Sequence, residues 1–159
     1  MLPDPLHPAV VHLPIALAVL IPVLAAAFAV AIGTRLLPAR AWLVVVLLQI
    51  GLAASAWVAI ETGEGDEERV ERVVAEDYIE PHEEAAKQLL IASVITAGLM
   101  ALGLMPRRLG RSGRLAGTLA AFVVFGSAVK VGHSGGELVY QHGAASAYTG
   151  ARAQTGQAP

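Results

Sequence analysis

Between Ala9 and Ile32 the chain carries no ionisable side chain except His12. That stretch exceeds the roughly 20 helical residues that cross a hydrocarbon core. Three further runs follow. Ala41 to Ile60 is interrupted only by the polar residues Gln49 and Ser55, with Trp42 and Trp57 near its ends, where aromatic rings favour the headgroup level. A third runs from about Ala85 to Met105 and is opened by Pro81, which the pattern places in a helix first turn, where proline is tolerated. The fourth starts at Leu115 and is cleanly apolar to Val129. It then meets Lys130, placed to snorkel toward the interface, and Gly132-His133-Ser134-Gly135-Gly136 before Leu138, Val139 and Tyr140 resume, so its far boundary is the least sharply marked.

Backbone polar groups in lipid must be satisfied within the segment, so apolar runs of this length are helices. Of the 159 residues, 55% are hydrophobic and 15% charged, too apolar a balance for a soluble domain. Four spans consume most of the length, leaving no second globular domain. The expected fold is therefore all-α: an integral membrane bundle of four transmembrane helices in up-and-down order over residues 1–148, with residues 149–159 a disordered tail. A cleaved signal peptide would carry Lys or Arg ahead of its apolar core, whereas the only charge before Ala9 is Asp4.

Orientation follows from arginine. Arg35 and Arg40 lie between spans one and two, and Arg107, Arg108, Arg111 and Arg114 between spans three and four; neither connection holds an acid. Short cytoplasmic loops carry the Lys and Arg excess, so both termini are expected outside. All 13 carboxylates and all five histidines gather at the opposite end. In the connection from Thr62 to Glu80, Asp66 is a candidate cap for a short amphipathic surface helix with Glu67 and Glu68 in its first turn and Val70, Val73 and Val74 on its apolar edge.

The residues able to carry chemistry are those histidines and their acidic neighbours. A nucleic-acid surface has no support in a chain of net charge −2. With no cysteine, disulfides, thiolate metal sites, iron–sulfur clusters and covalently attached haem are excluded. No nucleophile elbow, phosphate loop or zinc-protease motif occurs, no catalytic residue is assigned, and a stand-alone enzyme is not expected. His7 and His12 stand among Pro8 and Pro14 at the start of span one. His12 lies just inside the apolar region, where an ionisable group either serves a partner or cavity or simply bonds a backbone carbonyl freed by Pro14. His82 opens span three beside Glu83 and Glu84. Lys130, His133, Glu137 and Tyr140 share one helical face if span four continues, and His142 follows in Tyr140-Gln141-His142-Gly143. Each histidine alone is most simply a solvated or interfacial side chain. Together, spans one, three and four deliver histidine, and span two delivers Glu61, to one end of the bundle.

Leu6-His7-Pro8-Ala9-Val10-Val11-His12-Leu13-Pro14 at the start, His82 at span three, and Gly135-Gly136-Glu137-Leu138-Val139-Tyr140-Gln141-His142-Gly143 at the end resemble the bacterial membrane family called domain of unknown function 2231. The resemblance covers about residues 5–148. It implies a small multi-pass protein of the bacterial inner membrane, in a family sometimes joined to redox proteins, and no settled activity.

The leading expectation is a non-covalent b-type haem held by His12, His82, His133 and His142 near the outer face, serving electron transfer. Phe122, Phe125, Trp57 and Tyr140 are the few aromatics available to it. The alternative is binding or transport of a divalent transition metal by His7, His12, His82, His133, Glu61 and Glu137. A third is a non-catalytic membrane subunit whose polar end docks a periplasmic redox partner. His12, the histidine most enclosed by apolar sequence, is expected to be the most sensitive to substitution. The lipid bilayer, a periplasmic or membrane redox partner and a homo-oligomer are the expected associations.

Overall fold

The computed structural model describes residues 6–148; the expected tail at 149–159 lies outside them. A single turn, α1 (His7–Val10), passes through Val11 into α2 (His12–Gly33). A 3₁₀ turn at Ala39–Trp42 feeds α3 (Leu43–Glu71), followed by α4 (Glu76–Leu102) and α5 (Arg107–Tyr140). Each of the four long units is long and apolar enough to cross a membrane. Helices α2, α3, α4 and α5 pack in that cyclic order, with α5 returning to α2. The result is the expected up-and-down four-helix arrangement.

Its surface fits lipid better than water. Val23, Val30, Ile91, Leu115 and Val123 all point outward, each more than 60% exposed. The buried core is made from small and medium residues: Ala18, Ile21 and Ala25 on α2; Val45, Val46 and Leu52 on α3; Leu89 and Met100 on α4; Ala121, Val124 and Ala128 on α5. Small residues at helix interfaces suit a membrane, where association depends on close packing. The contact of α4 with α5 is the tightest example. A β-carbon at Gly117 would stand 2.6 Å from Met100 Cγ, and one at Gly113 2.5 Å from the Gly103 nitrogen.

Two polar side chains in this core donate to the backbone of a neighbouring helix, while Gln49 Oε1 and Ser93 Oγ are buried without a hydrogen-bond partner among the described residues. Trp42 is fully buried and its indole Nε1 donates to the Met100 carbonyl at 2.8 Å. This corrects the headgroup placement expected for Trp42; Trp57, 55% exposed, does face outward. Gln49 Nε2 donates to the Ser93 carbonyl at 3.0 Å, pinning α3 to α4 at membrane depth.

Three boundaries differ from the sequence expectation. Helix α3 continues unbroken to Glu71, so residues 62–71 are helical as an extension of span two rather than as a separate surface helix, and Asp66 is not its cap. Propagating an existing helix costs far less than nucleating a new one, and Glu68 with Arg72 at 3.6 Å supports its end. Helix α4 starts at Glu76, with Glu76 and Asp77 in its first turn, so Pro81 lies inside the helix. Acidic residues at a helix N-terminus complement its dipole. Finally, α5 runs through Gly135-Gly136 to Tyr140, and its first turns contain the arginines expected in the loop. Glycine weakens a helix, but a backbone with few water partners keeps its internal hydrogen bonds.

Candidate functional site

At the acidic end the four helices diverge around a cavity of about 640 Å³. Small and apolar groups line most of it, among them Val11, Pro14, Ala56, Ala59, Ile60, Leu89, Ala128 and Val131. His7, His12 and His82 are the histidines in its wall, and Glu64, Asp66, Glu67, Glu83, Lys87, Tyr140 and Tyr148 are its other polar side chains. Above it a second small core joins Val74, Ile79, Leu138 and Ala144, with Val70 packed alongside. The chain reverses over that core at Gly143, whose φ of 72° is a left-handed conformation that suits glycine. His142 stacks on Tyr78 with ring centroids 3.8 Å apart, and the Arg69 guanidinium lies 5.5 Å from the Tyr148 ring centroid. These contacts form a cap over the cavity.

His7, carried by α1, reaches α3. Its Nδ1 lies 2.8 Å from the Ala59 carbonyl and 3.4 Å from Thr62 Oγ1. A carbonyl can only accept, so Nδ1 bears the proton and Nε2 is left with its lone pair. The ring rests against Gly63, where a β-carbon would stand 3.2 Å from Cε1.

His82, carried by α4, reaches α5. Its Nδ1 lies 3.0 Å from Ser134 Oγ, which itself donates to the Val131 carbonyl at 3.1 Å. With its proton on that carbonyl Ser134 accepts from the ring, and a neutral His82 then carries its proton on Nδ1; the ring is also hydrogen-bonded to the Val131 backbone. Its ring rests against Gly135, where a β-carbon would stand 3.0 Å from Cε1. In that tautomer a neutral imidazole keeps Nε2 as an electron-pair donor, the form in which histidine binds metal.

The other candidates are placed differently. His12 touches the cavity but is exposed, and its Nδ1 bonds the Ala9 carbonyl at 3.3 Å; the histidine held by a neighbouring helix near the start of span one is His7. His133 is 76% exposed and pairs with Glu137 at 3.5 Å on the outer face of α5. His142 belongs to the cap. Glu61 is exposed, and neither it nor Glu137 lines the cavity. Of the four aromatics available, Tyr140 alone lines it. Lys130 is bonded to Gln88 Oε1 at 3.4 Å. Among the described residues no three of His, Asp and Glu converge in a way that could hold a metal ion. Thr62, Gly63 and Ser134 were not among the sequence candidates; their signal there is the hydroxyl–glycine pair that occurs on span two and again on span four.

Comparison with curated proteins and with solved structures gives no match. A family model, Predicted membrane protein (DUF2231), matches residues 3–147, nearly the whole chain, and the chain belongs to that family.

Proposed function

We propose that this protein binds a b-type haem in the capped cavity, with His7 and His82 as its two axial ligands, and carries electrons at the extracytoplasmic face of the bacterial inner membrane. The observation that carries this reading is the matched state of the two histidines. Each stands in the wall of one cavity with Nδ1 held by a neighbouring helix, which in the neutral ring leaves Nε2 its lone pair. Haem-binding bundles hold the cofactor between facing helices, and an Nδ1 hydrogen bond orients the ring and raises its basicity toward iron.

The donor set suits haem better than a bare divalent cation. Two nitrogens complete the axial coordination of a haem iron, which its porphyrin otherwise surrounds, whereas a zinc-like site needs three or four protein ligands. The cavity volume falls within the range of cofactor sites; Lys87, the cation on its wall, is paired with Glu83 at 3.4 Å. Haem supplies one-electron redox chemistry; the chain's part is to fix the two imidazoles, exclude water through the apolar lining and cover the site with the cap. Carboxylates around the mouth favour a basic redox partner docking from the same side.

The test is haem content per polypeptide in detergent-purified protein supplied with haem during expression. His7→Ala and His82→Ala should each lose the cofactor while helicity by circular dichroism is kept. Full loading of either variant removes the assignment.

A further inference from the structure

The two histidine seats are one arrangement used twice. Thr62 Oγ1 lies 3.0 Å from both the Val58 and the Ala59 carbonyl, four and three residues back along α3, and Ser134 Oγ donates to the Val131 carbonyl at 3.1 Å, three residues back along α5. In each case the next residue is glycine and a histidine ring lies on it. In each case, too, the histidine comes from the preceding element of the same half: α1 for α3, and α4 for α5. In the closed cycle α2, α3, α4, α5 the two seats stand on opposite helices, α3 and α5.

We infer that Thr62 and Ser134 are equivalent positioning residues, each fixing the tautomer of its histidine so that the Nε2 lone pairs address a ligand lying between the two halves. The identity of that ligand as haem rests on the function proposed above; the tautomer assignment stands on the hydrogen bonds alone. A side-chain hydroxyl committed to a carbonyl on its own helix cannot turn its proton toward the ring, so it accepts only. The two seats differ in how much they depend on it. His7 has the Ala59 carbonyl at 2.8 Å as its nearer partner and Thr62 at 3.4 Å, whereas His82 has the Ser134 hydroxyl at 3.0 Å beside a hydrogen bond to the Val131 backbone carbonyl. Loss of the hydroxyl should therefore loosen both rings, and His82 more than His7 because its hydroxyl stands closer.

The experiment uses the full chain labelled with ¹⁵N at histidine, in detergent under dithionite so that any low-spin haem is diamagnetic. Two Nδ1–H signals protected from solvent exchange are expected, assigned by their loss in His7→Gln and His82→Gln. Ser134→Ala should lower protection at His82, Ser134→Thr should retain it, and Thr62→Val should weaken the His7 signal by less. Should Ser134→Ala fail to fold, Ser134→Cys, similar in size and a poor acceptor, should give the same loss. In haem-loaded protein Ser134→Ala should also move the midpoint potential upward, since an axial imidazole without an Nδ1 acceptor donates less to iron, and Ser134→Thr should return it. An unchanged His82 signal in Ser134→Ala, or a loss that Ser134→Thr does not restore, overturns the inference. Colourless protein showing both protected signals would remove haem and keep the positioning role. Red protein showing neither would do the reverse.

Discussion

Gly135 lies so close to the His82 imidazole that a β-carbon built on it would stand 3.0 Å from Cε1 and 3.5 Å from Nδ1. The absence of a side chain there is what lets the ring settle against α5 and reach Ser134. Gly135→Ala should displace His82 and lower cofactor affinity about tenfold or more, the scale seen when a group orienting a ligand is lost. Gly63→Ala, at 3.2 Å from His7 Cε1, should cost less. Gly136→Ala has no neighbour within 4 Å and should load normally. Cofactor per polypeptide, measured with helicity as a control, ranks the three; equal loading in all of them contradicts the seating argument.

The histidines should separate into two groups. His12→Ala, His133→Ala and His142→Ala are expected to retain cofactor, because His12 and His133 are exposed and His142 stacks on Tyr78 in the cap. Retention should be compared after a wash at fixed detergent concentration. Complete loss in His12→Ala with normal helicity would return that residue to the ligand set.

The spans themselves were legible because hydropathy over some twenty residues is a local signal that tertiary packing cannot disguise. What hydropathy does not encode is where a helix stops once it has left the apolar layer. Helix α3 therefore reaches Glu71, and α4 begins ahead of Pro81 at Glu76, although both boundaries lie in polar sequence. At the site, sequence drew attention to the end of the bundle and to His82, but it favoured His12 for its apolar neighbours. Enclosure at the cavity depends instead on residues distant in the chain: His7 meets Ala59, and His82 meets Ser134, each 52 residues away. Gly132-His133-Ser134-Gly135-Gly136 stood out as a possible helix break. Its Gly135 is explained only once His82 is seen lying on it; a β-carbon at Gly132 or Gly136 would have nothing within 4 Å among the described residues.

At the arginine end, Trp42→Phe would leave the Met100 carbonyl without its side-chain donor in a fully buried setting. The Gly103 N–H still donates to that carbonyl at 2.8 Å, so the cost is that of one net hydrogen bond, about 0.5–1.5 kcal/mol. Unfolding of the detergent-solubilised protein should show that loss, while Trp57→Phe, at an exposed position, should be close to neutral. Equal effects from the two substitutions would contradict the structural role given to Trp42.

Orientation in the membrane is expected from the arginine asymmetry. Ser112, exposed in the first turns of α5, and Glu76, exposed at the start of α4, lie at opposite ends of the bundle. A cysteine at Glu76 should react with a membrane-impermeant reagent on intact cells, and one at Ser112 only after the membrane is opened. Labelling of both from outside, or of Ser112 alone, would reverse or break the assignment.

The pairing of His7 with His82 around one iron is tested most directly by the visible difference spectrum, dithionite-reduced minus air-oxidised, of the purified wild-type protein loaded with haem. Two axial imidazoles predict a low-spin haem: sharp α and β bands on reduction, one haem per chain, and no change when carbon monoxide is added, because no axial position is open. A colourless protein would contradict the account at its root. A haem whose reduced spectrum shifts with carbon monoxide would show that only one histidine is bound.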